Sequence, residues 1–317
     1  MRRRGFLASS LAVGLAGCQR SRKRRIAVIP KSTSHLFWVS VEAGAKAAGQ
    51  KFDVEILWNG PSSETDFNRQ IQIIDSMTAQ RVDGIAVAVS ERQALVGAVD
   101  RAVAAGIPVT VFDSGLDSEN YMSYVGTDNV LAGRLGARQL AEVIGGKGKV
   151  AVILHAPGAL GTMDRESGFR EAIKQEFPGI QIVAEQFGMS DRAKARATAE
   201  NIVAAHPDVA GLFTSTEPSC TGTLLALKGR ELAGKVKVVT VDTSDNLVEE
   251  MRAGNLYAMV AQDPHGMAFQ AVKTLVDKLN GLTPPKKIDM QPRVILLADL
   301  DRPDVQQLLK PDLSKLR

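Results

Sequence analysis

The sequence predicts an α/β protein built as two doubly wound, Rossmann-like parallel-sheet domains, and three observations lead there. Its 317 residues, 44% of them apolar, approach the length at which one hydrophobic core divides into two. Short continuous apolar runs alternate with longer stretches of helical period, the pattern of strands buried on both faces and joined by crossover helices. The alternation begins afresh at Val150, and a single open sheet of about ten strands would sit at the upper end for a strongly twisted one.

In the first half the strands are read at Ile26–Pro30, Val54–Trp58, Gly84–Val89, Ile107–Phe112 and Met122–Val125. Between them, Asp66–Gln80 carries Phe67, Ile71 and Ile74, and Glu91–Ala105 carries Val96, Val99 and Val103, each set falling on one stripe of a helix. In the second half the strands are Val150–Leu154, Ile180–Gln186, Ala210–Thr214, Val236–Val241 and Tyr257–Ala261. A helix with Phe269, Val272, Val276 and Leu279 follows, then Gly281-Leu282-Thr283-Pro284-Pro285 and a last strand, Val294–Ala298. Asp263-Pro264 and Glu217-Pro218 set a capping carboxylate before a proline of the first helical turn. Gly106-Ile107-Pro108 and Gly145-Gly146-Lys147-Gly148 close helices ahead of strands. No long linker separates the halves, so the domains are expected to exchange chain more than once.

The charge is unevenly distributed. Residues 1–25 hold eight basic side chains and no acidic one, and removing them from the formal +4 of the chain leaves −4 for residues 26–317. A body of net negative charge has no general attraction for a phosphate backbone, so no nucleic-acid partner is expected. The two cysteines, Cys18 and Cys220, do not suggest a disulfide framework, and Cys220 reads as a small buried apolar side chain.

Residues 1–17 have the parts of an export signal: a basic start, the apolar stretch Phe6–Gly17 and small residues just before Cys18. Leu15-Ala16-Gly17-Cys18 resembles the lipobox of bacterial lipoproteins, which implies cleavage before Cys18 and lipid on its thiol. Arg3-Arg4-Gly5-Phe6-Leu7 resembles a twin-arginine export signal. Residues 18–25 are read as a basic, lipid-anchored tether, each positive charge drawn to an anionic surface by about 1 kcal/mol.

From Ile26 the chain resembles the ribose-binding, type I periplasmic binding proteins. The motifs are Ile26-Ala27-Val28-Ile29-Pro30, His35-Leu36-Phe37-Trp38-Val39-Ser40, Glu42-Ala43-Gly44, Gly106-Ile107-Pro108-Val109 and Gly126-Thr127-Asp128-Asn129. Arg165-Glu166-Ser167-Gly168-Phe169, Ala205-His206-Pro207-Asp208-Val209, Val241-Asp242 and Ala261-Gln262 complete the ordered set. The resemblance implies two lobes joined by a three-crossover hinge near Thr127-Asp128, Gln262-Asp263 and Met290. It implies a first lobe of residues 26–127 with 263–290 and a second of 128–262 with 291–317.

It also implies a ligand held between the lobes, where the rule that ligands sit beyond the carboxyl ends of parallel strands selects the same positions. Asp113 and Asp242 are carboxylates able to accept two hydroxyl hydrogen bonds each, and Arg165 offers a rigid donor fork; the other reading of each is a helix cap or a surface ion pair. By resemblance Phe37 and Trp38 supply aromatic faces for a sugar ring; the other reading of each is an ordinary core residue. Gln262, at the hinge, can both donate and accept. His35, Ser190, Thr216 and Glu217 complete the lining by resemblance, and they depart from the ribose-binding pattern, where an asparagine, an aromatic and an Asn-Asp pair stand.

The expected function is capture of a monosaccharide or polyol by a monomeric, lipid-anchored protein and delivery to the membrane permease of an ABC importer. No catalysis, cofactor or metal is expected. A Gly-x-Gly-x-x-Gly after the first strand, a phosphate loop and a metal-type histidine pair are all missing from the sequence, which argues against an enzyme of this architecture. A repressor of the lactose-repressor type would need a helix-turn-helix headpiece where the leader stands. A ligand-sensing subunit of a membrane receptor is the open alternative.

Overall fold

The computed structural model describes residues 22–310 together with Leu313 and Leu316. The predicted signal, the lipobox and Cys18 lie outside the described residues. In chain order the first lobe is entered through β1 (Arg25–Ile29), α1 (Leu36–Lys51), β2 (Glu55–Trp58), α2 (Phe67–Ala79), β3 (Gly84–Val87), α3 (Val96–Ala104), β4 (Val109–Phe112) and β5 (Ser123–Thr127). The chain then passes to a second sheet through α4 (Asn129–Val143), β6 (Gly148–Leu154), α5 (Leu160–Glu176), β7 (Ile180–Phe187), α6 (Arg192–Ala205), β8 (Val209–Thr214), α7 (Glu217–Gly229), β9 (Lys237–Val241), α8 (Asp245–Arg252) and β10 (Ala258–Ala261). It returns to the first sheet through α9 (Pro264–Leu279) and β11 (Lys287–Met290). It crosses once more into β12 (Arg293–Ile295), and α10 (Pro303–Leu309) follows.

The two sheets are ordered β11-β5-β4-β3-β1-β2 and β12-β10-β9-β8-β6-β7. Every pairing is parallel except that of β12 with β10. Strands such as β3 and β4 are buried along their whole length, because helices cover both faces of each sheet. In the first lobe α1 and α9 pack on one face around Trp38, Val41, Met267 and Val272. The other face carries Ile73, Ile74, Leu95 and Val99 of the segments around α2 and α3. In the second lobe α4 and α5 cover one face with Leu140 and Phe169, and α6 and α7 the other with Ile202 and Leu224. The helices α4 and α5 approach so closely that a Cβ on Gly133 would meet the Arg165 carbonyl, and one on Gly168 the carbonyl of Val130. Glycine is required at both positions, and the pair fixes the helix that carries Arg165.

Several expectations need correction. The helix predicted from Glu91 begins at Val96. Residues 91–95 are drawn into a turn in which the Glu91 carboxylate accepts from the amides of Gln93 and Ala94, and Arg92 donates its amide to Gly158 of the other lobe at 2.9 Å. On α2 the buried face is Gln70, Ile73, Ile74 and Met77, and Phe67 is 36% exposed. The last strand is Arg293–Ile295, shorter than expected, and a 3₁₀ turn, Leu297–Asp299, occupies the rest. Strand β11 was not foreseen; with the sequence Lys-Ile-Asp-Met at a sheet edge it has no apolar run.

The basic tether also ends earlier than residue 25. Arg25 is the first residue of β1, its amide donating to Asp83 at 2.7 Å, and Arg24 donates to Asn280 and to the Leu279 carbonyl. Lys23 pairs with Asp53 at 2.9 Å. Among the described residues no helix is long and apolar enough to cross a membrane.

Candidate ligand-binding site

The strand ends of both sheets face one cavity, in the place where ligands of open α/β sheets bind. From the first sheet, Lys31 lies just past β1, His35 is the N-cap residue of α1, Phe37 and Trp38 stand in the first turn of that helix, and Asp113 follows β4. From the second, Ser190 follows β7, Thr216 follows β8, Asp242 follows β9 and Gln262 follows β10, while Arg165 projects from α5. Together with Glu217, the ten side chains singled out in the sequence as a site all line this cavity.

Asp113 and Asp242 have φ of +63° and +77°, and Ser190 +54°, left-handed values that cost a non-glycine residue energy and cluster where a site needs them. At Asp113 the turn is closed by the Ser114 amide donating to the Phe112 carbonyl at 2.7 Å, a tight reversal that lifts the carboxylate out of the sheet. Its Oδ2 lies 2.7 Å from Lys31 Nζ, with both side chains almost fully buried. The reading of Asp113 as a surface ion pair is therefore corrected: the pair exists, and it is inside the cavity wall.

Asp242 is held by groups from three different segments. Its Oδ1 accepts from Gln262 Nε2 at 2.6 Å and lies 3.8 Å from Arg165 Nη1, and its Oδ2 accepts from the Glu217 amide at 3.1 Å. Burial raises its carboxyl above the ordinary range, and Arg165, Gln262 and the Glu217 amide reverse this only in part. Gln262 turns its Oε1 to the Thr127 hydroxyl at 2.7 Å, so the amide ties two of the three inter-sheet crossings to Asp242. Arg165 is anchored through Nε to Asn129 Oδ1 and through Nη1 to the Ser215 carbonyl, both at 2.8 Å.

Phe37 and Trp38 meet edge to face, with ring centroids 4.9 Å apart. Trp38 lines the cavity and is also part of the apolar core under α1, the placement that its reading as a core residue expects. Glu217 is not a cap: Thr216 is the N-cap residue of α7, and the Glu217 carboxylate accepts from Arg192 at 3.1 Å and from the Thr221 hydroxyl at 2.8 Å. Ser190 Oγ has no hydrogen-bond partner among the described residues. Cys220 lies in the core of the second lobe, where burial pushes its thiol up to about 12, far from nucleophilic use.

Sequence reasoning missed Lys31, Glu64 and His155, which also line the cavity. Lys31 stands two residues past β1 and His155 directly follows β6, so the strand-end rule would have selected them; Glu64 sits in the loop between β2 and α2, where no local signal marks it. His155 Nε2 of the second lobe lies 3.1 Å from Glu64 Oε2 of the first. With Arg92 bonded to Gly158 and the Gly161 amide donating to Ser114 Oγ at 2.9 Å, this contact shows the cleft shut.

Comparison with known proteins agrees with this architecture. The chain is 29% identical over 290 residues to the D-ribose/D-allose-binding protein of Pseudomonas aeruginosa, covering 89% of this chain and 90% of that protein. A crystal structure of a carbohydrate transporter solute-binding protein from Agrobacterium radiobacter, in complex with D-arabinose, superposes with a TM-score of 0.89 at 29% identity over 92% of this chain and all of that one. A solute-binding protein of an ABC transporter from Agrobacterium vitis with bound D-fucose gives 0.87 at 33% identity over 90% of this chain and all of that one. Residues 26–283 match the family described as periplasmic binding protein domain, a span that takes in every described residue lining the cavity, so the chain belongs to the periplasmic binding protein family, with its type I fold.

Proposed function

We propose that the protein captures a monosaccharide between its lobes and presents the closed form to the permease of an ABC importer, without chemical change to the sugar. One observation carries this reading: buried polar groups of both lobes, Asp113 with Lys31 on one side and Asp242, Arg165 and Gln262 on the other, converge on a cavity walled by Phe37 and Trp38. The carboxylates accept hydroxyl hydrogen bonds, Arg165 donates, and the aromatic rings take the C–H side of the sugar. His35, Ser190, Thr216 and Glu217 adjust which hydroxyls are accepted. Because both lobes contact the sugar, the closed form gains binding energy that an open one lacks, and the population shifts toward it. The leader supports export, with lipid on Cys18 holding a monomer at the membrane and a twin-arginine signal as the route.

A thermal-unfolding screen of residues 22–317 against pentoses, hexoses, polyols, amino acids and purines tests the assignment. A sugar present at 100 times its dissociation constant is expected to add about 2.7 kcal/mol of stability. A screen in which only amino acids or purines raise the midpoint contradicts it.

A further inference from the structure

Resting on the sugar-binding reading of the cavity, we propose that Glu64 and His155 are positioning residues. Closure brings His155 of the second lobe onto Glu64 of the first, and Glu64 in turn holds the Trp38 indole in place as the stacking wall.

The Glu64 carboxylate joins the other two groups. Glu64 Oε1 accepts the indole N–H of Trp38 at 2.8 Å, and Oε2 lies 3.1 Å from His155 Nε2. The two ionisable side chains are 10% and 3% exposed, so the contact is shielded from screening by solvent and salt. The first bond lies within one lobe and survives opening. The second spans the lobes and exists only when they meet. Burial by itself would raise the Glu64 carboxyl, yet His155, followed by Lys31 and His35, holds it well below the usual carboxylate range, so the charge is present to be shared. The remaining ring nitrogen, His155 Nδ1, has no hydrogen-bond partner among the described residues, which leaves Glu64 to set the tilt of the imidazole.

When the lobes part, Glu64 loses its contact with His155, and the indole is held from its own lobe alone. On closing, the carboxylate is fixed from the far side, and Trp38 is fixed with it. The stacking wall is thus completed by the same movement that traps the sugar, and its contribution is withheld from the open form.

The experiment uses the full chain in a Trp58→Phe background, which leaves Trp38 as the one tryptophan, titrated with the sugar that most stabilises the parent. The parent is expected to show a shift in Trp38 emission on saturation. Glu64→Ala and His155→Ala are expected to bind on the order of 30-fold more weakly or worse, as for truncating one partner of a buried contact to a charged group, and to lose that shift even at saturation. Glu64→Gln, which keeps an acceptor for the indole, and His155→Gln, which keeps an N–H toward Glu64, are expected to restore the emission shift and part of the affinity; they also serve if an alanine variant fails to fold. Alanine variants that bind within twofold of the parent with an intact shift overturn the relay and leave the sugar-binding reading standing. A parent that binds no sugar overturns that reading and the relay with it.

Discussion

Asp113→Asn and Asp242→Asn are each expected to fold and to bind the sugar at least 30-fold more weakly than the parent, as measured by calorimetric titration. Removing the charge at Asp113 strands the Lys31 ammonium, which is 4% exposed and pairs there at 2.7 Å. At Asp242 two donors, Gln262 Nε2 and the Glu217 amide, share the two carboxylate oxygens, and an asparagine has a single acceptor oxygen for both. Truncating one partner of a buried, hydrogen-bonded charge pair costs about 2–5 kcal/mol, which corresponds to roughly 30-fold to several thousand-fold in affinity. The sugar hydroxyls are expected to bridge these same oxygens, so the loss appears in binding more than in folding. Two variants that both match the parent would mean that the carboxylates do not clamp the ligand.

The second large effect is expected in stability. Arg165→Ala frees Asn129 and the Ser215 carbonyl from their bonds and leaves Asp242 buried without its cation. Breaking a buried pair in this way costs about 3–5 kcal/mol, readable as a lowered denaturation midpoint. The pH dependence has a definite sign. Burial raises the Asp242 carboxyl above its ordinary 3.8, and Arg165 is the strongest influence opposing that rise. Without the arginine it rises further. A carboxyl raised by folding contributes stability that is complete below its ordinary value and is lost as pH increases through the folded one. The deficit of Arg165→Ala is therefore expected to be smallest in acid and to grow with pH, and Asp242→Asn in the same chain is expected to remove that growth. A deficit that is constant with pH would show that Asp242 does not feel Arg165.

What the sequence revealed and what it hid divide along physical lines. β3, β4 and β8 were legible because strands covered on both faces keep unbroken apolar runs. The strand-end rule found Asp113, Asp242 and Gln262 because topology alone decides where such residues emerge. Edge strand β11 was illegible because its Lys287 and Asp289 face solvent and its pairing with β5 is made across a distance in sequence. The displaced start of α3 was illegible for a related reason: Arg92 is bonded to Gly158, a partner supplied by the other lobe. Glu64 belongs to the same class. Its role depends on Trp38 and His155 meeting it in space, and no periodicity or spacing encodes that meeting.

The central claim is that side chains of two lobes close on one sugar, and solution scattering of the chain with and without the sugar found in the screen addresses it most directly. Saturation with that sugar is expected to reduce the radius of gyration toward the value of the closed structure, with Asp113→Asn requiring far more sugar to reach it. A scattering curve unchanged at saturating sugar would contradict the account.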